Sequence, residues 1–186
     1  MLALANGRTF NSTGFYTPFL IYINEAFYYY KKGIKTKLRQ GTIKIVGNPH
    51  LNLKKSYTIN THFDHRGAEA RRESAALIAR HVKRVSHLDP LPVVVMGDLN
   101  CLPNSEPYKN FQRGEFKDAL LQSKTKHQGP MSSWNGFGKA VVPGRRIDFI
   151  FVGPHLKVLS HKIDASQFKG RFPSDHCPVI ARLSQP

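Results

Sequence analysis

The sequence predicts an α/β domain built from layered sheets and helices, and three observations lead there. Segments with strand character outnumber helical ones, the helical segments are interleaved among them, and Val93–Met96 is a short continuous apolar run bounded by turn residues. Such a run is the pattern of a strand buried on both faces, and interleaved helices favour sheets packed against helices over an all-β arrangement.

Taken in chain order, residues 15–30 are aromatic and β-branched with partial alternation, and Gly41–Val46 alternates as a half-buried strand does. Between them Lys31, Lys32, Lys35, Lys37 and Arg39 read as a hairpin or an exposed edge. Ser56–Phe63 is the next strand. It runs through Asp64 and His65 into Gly67–His87, where Ala68, Ala75, Ala76, Ile78, Ala79, Val82 and Val85 suit one helix face. Pro90 and Pro92 stop that helix, and the Val93–Met96 strand then delivers Gly97, Asp98, Leu99 and Asn100 into a loop. A short helix is expected at Glu106–Phe111, followed by a polar, Gly-rich stretch from Gln122 to Pro143 that reads as a long surface loop carrying Trp134. Arg146–Val152, Leu156–Ile163 and Pro178–Leu183 close the chain as strands, with Ser174, Asp175 and His176 just before the last. No repeat, low-complexity tract or Pro/Gly/Ser-rich linker divides the sequence, so residues 1–186 read as one domain.

A chain of 186 residues with 40% hydrophobic content can bury a core, which argues against disorder. Lys and Arg number 28 against 12 Asp and Glu, a net charge of +16 and a pI near 10.1. So one-sided a balance points to a polyanionic partner, nucleic acid above all, because such a field concentrates phosphates. The competing reading is a solvated surface, since the basic residues are spread over several runs, among them Arg66, Arg71 and Arg72, and Arg145 with Arg146. Cys101 and Cys177 are too few for a disulfide framework and lack zinc-site spacing, so both are expected to be reduced, small buried thiols. Phe19–Tyr30 is the most apolar early stretch, but Asn24 and Glu25 break it and it is too short to span a bilayer. Residues 1–9 do not read as a signal peptide, which favours a cytoplasmic protein if Met1 is the true start.

Four segments set acidic, amide or imidazole side chains at strand ends: Thr61–His65, Gly97–Asn100, Arg146–Phe149 and Ser174–Pro178. Singly each is better explained as a turn former or helix cap. Their order and combination carry the signal. NTHFDHRG (60–67), VVVMGDLNCLPNSEPY (93–108), RRIDFIFV (145–152) and PSDHCPVIARL (173–183) resemble the ordered motif set of the endonuclease/exonuclease/phosphatase, or DNase I-like, superfamily. The match runs from about Ser56 to Leu183, with the Asp-x-Asn and Ser-Asp-His elements the most diagnostic. THFDHRGAEARRES (61–74) is similar to the branch with deadenylase-like RNA exonucleases. The resemblance implies a sandwich of two β-sheets flanked by helices, with the site at one end of the sheets, and an activity on phosphoesters, preferentially as a 3′-5′ RNA exonuclease with RNA favoured over DNA.

Phosphodiester hydrolysis needs a deprotonated water in line with the leaving oxygen, positive charge against the phosphoryl oxygens, and a cation to offset developing charge. The resemblance implies His176 as the base and Asp148 as the carboxylate that orients it. It likewise implies that Asp98 positions the nucleophile, Asn100 bonds the scissile phosphate and His62 donates to a phosphoryl oxygen. The cofactor implied is Mg²⁺, with Mn²⁺ the alternative, held by Asp175, Asp98 and Asn100. Arg71, with His65 and Arg66, reads either as a contact to the nucleic-acid backbone or as a solvated helix start, and Trp134 either stacks a base or caps the core.

Complete members of the superfamily begin with an Asn-bearing strand and a second strand ending in a Gln-Glu pair whose Glu binds metal, and neither is seen here. The chain opens with NGRTFNSTGFYTPFLIYINEAFYYYKKG (6–33), where Glu25 lacks the right context. The fold is therefore expected to miss its first strands and to bind Mg²⁺ weakly. Two rival readings follow: a non-catalytic relative that grips polyanions, and a phosphoinositide or sphingolipid phosphoesterase.

Overall fold

The computed structural model describes residues 57–88 and 92–185, together with the short strands β1 (Leu2–Ala3), β2 (Thr9–Phe10), β3 (Tyr28–Lys31) and β4 (Ile34–Lys37). β3 and β4 pair antiparallel from Tyr28↔Lys37 to Lys31↔Ile34, so this part of the Lys-rich run is a hairpin. The strand expected at Gly41–Val46, and most of residues 15–30, lie outside the described residues.

From Tyr57 onward the anticipated elements follow in their expected order, and a two-residue strand and a short helix at 117–122 are added to them. They are β5 (Tyr57–His62), α1 (Ala68–Leu88), β6 (Val93–Asp98), α2 (Glu106–Gln112), β7 (Lys117–Asp118), α3 (Ala119–Gln122), β8 (Asp148–Val152), β9 (Lys157–Ile163) and β10 (Val179–Ser184). A four-stranded sheet has the order β5-β6-β8-β7, with β5 and β6 parallel and the other pairs antiparallel. Only a crossover can join parallel neighbours, and α1 supplies it. β9 and β10 form a second, antiparallel sheet.

The period-2 alternation of β6 and β8 divides the core. Val93, Val95, Phe149 and Phe151 pack with Ile78, Val82, Tyr108 and Phe111 of the helices. Val94, Met96, Ile150 and Val152 pack with Val158, Ala181 and Leu183 of the second sheet. Every residue of β6 and β8 is buried, as the apolar run in β6 foretold. The result is the layered two-sheet α/β arrangement expected of a DNase I-like domain.

Two expectations need correction. β8 begins at Asp148, because Arg146 turns inward instead of continuing a strand. Its guanidinium, in a residue only 7% exposed, lies 2.8 Å from Asp118 Oδ2, which also accepts a hydrogen bond from the Tyr108 hydroxyl. Arg146 thus spends its charge inside the fold and adds nothing to a polyanion-binding face. The segment 122–143, expected as a surface loop, dips inward at Ser132, Ser133 and Asn135, all buried. Buried backbone N–H groups of neighbouring loops need acceptors, and these side chains meet that demand.

Candidate active site

Strand register builds the site. In the parallel β5–β6 pair His62 lies opposite Asp98, and in the antiparallel β6–β8 pair Asp98 lies opposite Asp148. Three candidate side chains therefore stand in one row across three neighbouring strands. Gly97 makes the approach possible: with φ of +149°, a Cβ there would sit 1.8 Å from the Thr61 carbonyl oxygen.

The loop after β6 is fixed by short-range bonds. Asp98 Oδ1 accepts the Asn100 N–H at 2.8 Å, and the Asn100 amide donates to the Phe63 carbonyl at 2.9 Å. Asn100 holds the left-handed conformation, φ 46°, which asparagine tolerates better than most residues. Phe63 N–H donates back to the Asp98 carbonyl, tying the ends of β5 and β6 together.

His176 comes from the segment before β10. Its Nδ1 lies 2.8 Å from Asp148 Oδ2, and its Nε2 faces Asp98 Oδ2 at 4.0 Å. On the other side His62 Nε2 lies 3.2 Å from the same Asp98 oxygen. Burial by itself would lower the His176 pKa. The hydrogen bond to Asp148 and the charges of Asp148, Asp98 and Asp175 outweigh it and push the imidazole up to about 9. The hydrogen bond that His62 donates to Asp98 raises its pKa likewise, against burial. Burial also raises the Asp148 carboxyl, although His176 and Ser133 hydrogen-bond to it.

The structure brings together His62, Asp98, Asn100, Asp148 and His176. Asp175 is half-buried beside them, its carbonyl accepting the Asn135 and Gly136 N–H groups. Trp134 pairs its backbone with His176 in an antiparallel bridge, and the Arg145 guanidinium covers its ring at 5.0 Å. Arg71 donates to the Asp64 carbonyl at 2.9 Å, while the Asp64 carboxylate accepts the Arg66 and Gly67 N–H groups at the start of α1. The carboxylate closes an Asx turn that leads into α1. His65 and Arg66 are exposed. Cys101 and Cys177 are free and buried, and burial raises both thiols.

Sequence reasoning missed Ser133 and Asn135. The Ser133 hydroxyl accepts the Ile147 and Asp148 N–H groups, each at 3.1 Å, and its carbonyl accepts the Cys177 N–H at 2.6 Å. Asn135 donates to the Ser174 carbonyl at 3.0 Å. One loop thus grips both halves of the Asp148–His176 pair. The only available signal was a run of small polar residues around Trp134, which looks the same in any exposed loop.

Asp98, Asp148 and His176 each offer one ligand atom, all within 4.8 Å of one another. Asp98 offers a carboxylate suited to a divalent cation that prefers oxygen, with Asn100 in the same loop and Asp175 beside His176 as further oxygen donors, while Asp148 is engaged by His176.

A two-sheet α/β sandwich with this row of carboxylates and imidazoles at one sheet end defines a DNase I-like domain. The chain belongs to the Endonuclease/Exonuclease/phosphatase family, which it matches over residues 6–176. Among solved structures it is similar to an endonuclease/exonuclease/phosphatase from Bacteroides vulgatus, at 36% identity and a TM-score of 0.61, over 69% of this chain and 49% of that one. A conserved protein of unknown function from Enterococcus faecalis V583 matches at 26% identity and a TM-score of 0.64, over 73% of this chain and 52% of that one. A mannosyl-6-phosphatase from Bacteroides thetaiotaomicron matches at 28% identity and a TM-score of 0.60, over 66% of this chain and 49% of that one. The chain therefore spans about half the length of these structures. No match was found among curated proteins. No helix among the described residues is long and apolar enough to cross a membrane.

Proposed function

We propose that the chain carries the catalytic half-site of a metal-dependent phosphodiesterase acting on nucleic acid, with 3′-5′ cleavage of single-stranded RNA as the preferred activity. The observation that carries this reading is the 2.8 Å bond from His176 Nδ1 to Asp148, which leaves Nε2 turned toward Asp98. An imidazole held at one nitrogen by a buried carboxylate has its other nitrogen free to exchange a proton with water.

In this mechanism Asp98 orients the attacking water and His176 in its neutral form, which grows as pH rises toward about 9, takes the water's proton at Nε2. Asp148 fixes the tautomer and stabilises the imidazolium that results. His62, raised by Asp98, is cationic nearer neutrality and donates to a phosphoryl oxygen, and the Asn100 amide bonds the scissile phosphate. A divalent cation, when held by Asp98 with Asn100 or Asp175, supplies positive charge against the phosphoryl and leaving oxygens. The net charge of +16 favours nucleic acid as the substrate through long-range attraction of phosphates.

A second reading follows from the 28% identity to a mannosyl-6-phosphatase: the same residues would hydrolyse a sugar phosphate monoester. One panel separates the two. Purified protein with Mg²⁺ or Mn²⁺ is offered a single-stranded RNA oligomer, single-stranded DNA, a phosphoinositide and mannose 6-phosphate, with His176→Ala as control. RNA shortened from its 3′ end by wild type alone is the expected result. Turnover of mannose 6-phosphate alone selects the second reading, and metal-independent RNA binding without turnover leaves a non-catalytic polyanion binder.

A further inference from the structure

Phe137 is 68% exposed and Phe168 is 72% exposed, an unfavourable display of apolar surface for two aromatic rings. Both sit on loops that lead directly into the site. Phe137 follows Asn135 and Gly136, whose N–H groups bind the Asp175 carbonyl. Phe168 caps a tight turn closed by hydrogen bonds with Arg171, a few residues before Ser174.

The two loops are held, not loose. Gln167 donates from its side chain to the Lys139 carbonyl at 2.8 Å, linking one to the other. The Phe137 N–H donates to the Asn135 carboxamide oxygen at 2.8 Å, which keeps Phe137 at φ 59°. A non-glycine residue stays in that region only when its surroundings over-determine it.

Cations accompany the rings. Lys169 Nζ lies 5.5 Å from the Phe168 ring, and Lys139, Lys169 and Arg171 are all exposed. None of these three forms a salt bridge among those found in the described residues. Single aromatic rings interspersed with unpaired cations and polar side chains suit unstacked bases on a phosphate backbone. A membrane-inserting surface would instead need contiguous apolar residues, and here Ser166, Gln167, Lys169 and Gly170 surround Phe168.

We infer that Phe137 and Phe168 form a base-stacking rim beside the site, gripping an unpaired nucleobase next to the scissile phosphate while Lys139, Lys169 and Arg171 meet its backbone. The inference rests on the nucleic-acid reading above and assigns that substrate a stacking subsite.

The test is binding of a single-stranded RNA oligomer carrying 2-aminopurine near its 3′ end, in EDTA, to wild type, Phe137→Ala, Phe168→Ala and the two Phe→Trp variants. An oligomer abasic at the same position serves as control. Both Ala variants should bind the base-bearing oligomer about tenfold more weakly, leave abasic binding unchanged and lose the 2-aminopurine quench, while the Trp variants keep it. Equal binding by all variants overturns the rim, and so does equal weakening on the abasic oligomer. Loss of binding to anionic phospholipid vesicles with RNA binding intact also overturns it, in favour of a membrane contact. Hydrolysis of bis(p-nitrophenyl) phosphate by the wild type is measured in parallel. If wild type does not hydrolyse it but the quench depends on Phe137 and Phe168, the catalytic reading fails and the rim stands. Hydrolysis by wild type with no Phe-dependent quench removes the rim alone.

Discussion

His176 Nδ1 and Asp148 Oδ2 meet at 2.8 Å across 28 residues of sequence, one from the loop before β10 and the other from the first position of β8. Nearly isosteric Asp148→Asn removes the charge and offers the imidazole an amide in place of a carboxylate. The expected fall in kcat is on the order of 10³-fold or more, as when an imidazole base loses its orienting carboxylate. The His176 pKa should drop from about 9, because burial, which lowers it, would keep its full effect while the opposing bond is gone. The sign for stability follows: His176 is raised above its ordinary 6.5, so its contribution is complete below pH 6.5 and is lost as pH rises through about 9. Imidazole NMR titration, with urea unfolding at pH 6 and pH 10, should show that alkaline loss in wild type and a smaller one in Asp148→Asn.

Ser133 is fully buried, and its hydroxyl accepts two backbone N–H groups, those of Ile147 and Asp148. Ser133→Ala strands both donors away from water. A buried unsatisfied group costs about 1–3 kcal/mol, so for two donors a loss of roughly 2–6 kcal/mol is expected. Ser133→Thr keeps the oxygen and should lose less. Denaturant midpoints of the two variants decide this, and equal stability of Ser133→Ala and wild type would contradict the assigned bonds.

The sequence revealed the sheet and the row of acids but not what locks them in place. β6 and β8 were legible because residues buried on both faces leave an uninterrupted apolar run. His62, Asp98 and Asp148 stand at the ends or starts of strands, and they were legible only through the ordered motif set to which they belong. Ser133, Asn135 and the Arg146–Asp118 pair were not, since their burial depends on contacts between distant segments and their residue types are those of a polar surface. Arg146 shows the limit best: beside Arg145 it reads as one basic patch, yet Arg145 covers Trp134 from the outside and Arg146 lies beneath β8 with Asp118.

Gly97→Ala tests whether the close approach of β5 and β6 governs the site. The added Cβ would fall 1.8 Å from the Thr61 carbonyl oxygen, so the two strands must separate beside His62 and Asp98. Overpacking costs about 1–3 kcal/mol, and the positive φ adds roughly 1–3 kcal/mol more. A lower thermal midpoint is expected, together with loss of activity beyond what the unfolded fraction explains. Full activity at reduced stability would show that the site tolerates a shift of β5.

The acid limb of stability should belong to His161, which is buried and distant in role from the dyad. Its Nδ1 lies 3.0 Å from His127 Nδ1, and His127 Nε2 lies 3.0 Å from the Pro130 carbonyl. The carbonyl can only accept, so His127 donates to it from Nε2, and a single proton joins the two Nδ1 atoms. Burial, with a smaller push from His127, lowers the His161 pKa to about 4. Below pH 6.5 the unfolded chain therefore binds a proton that the folded one refuses, and stability declines until about pH 4, where the folded ring also titrates. At 1.36 kcal/mol per unit the loss amounts to about 3 kcal/mol. Urea unfolding of wild type and His161→Phe between pH 7 and pH 4 should show a shallower acid decline in the variant, and identical slopes would place the acid sensitivity elsewhere.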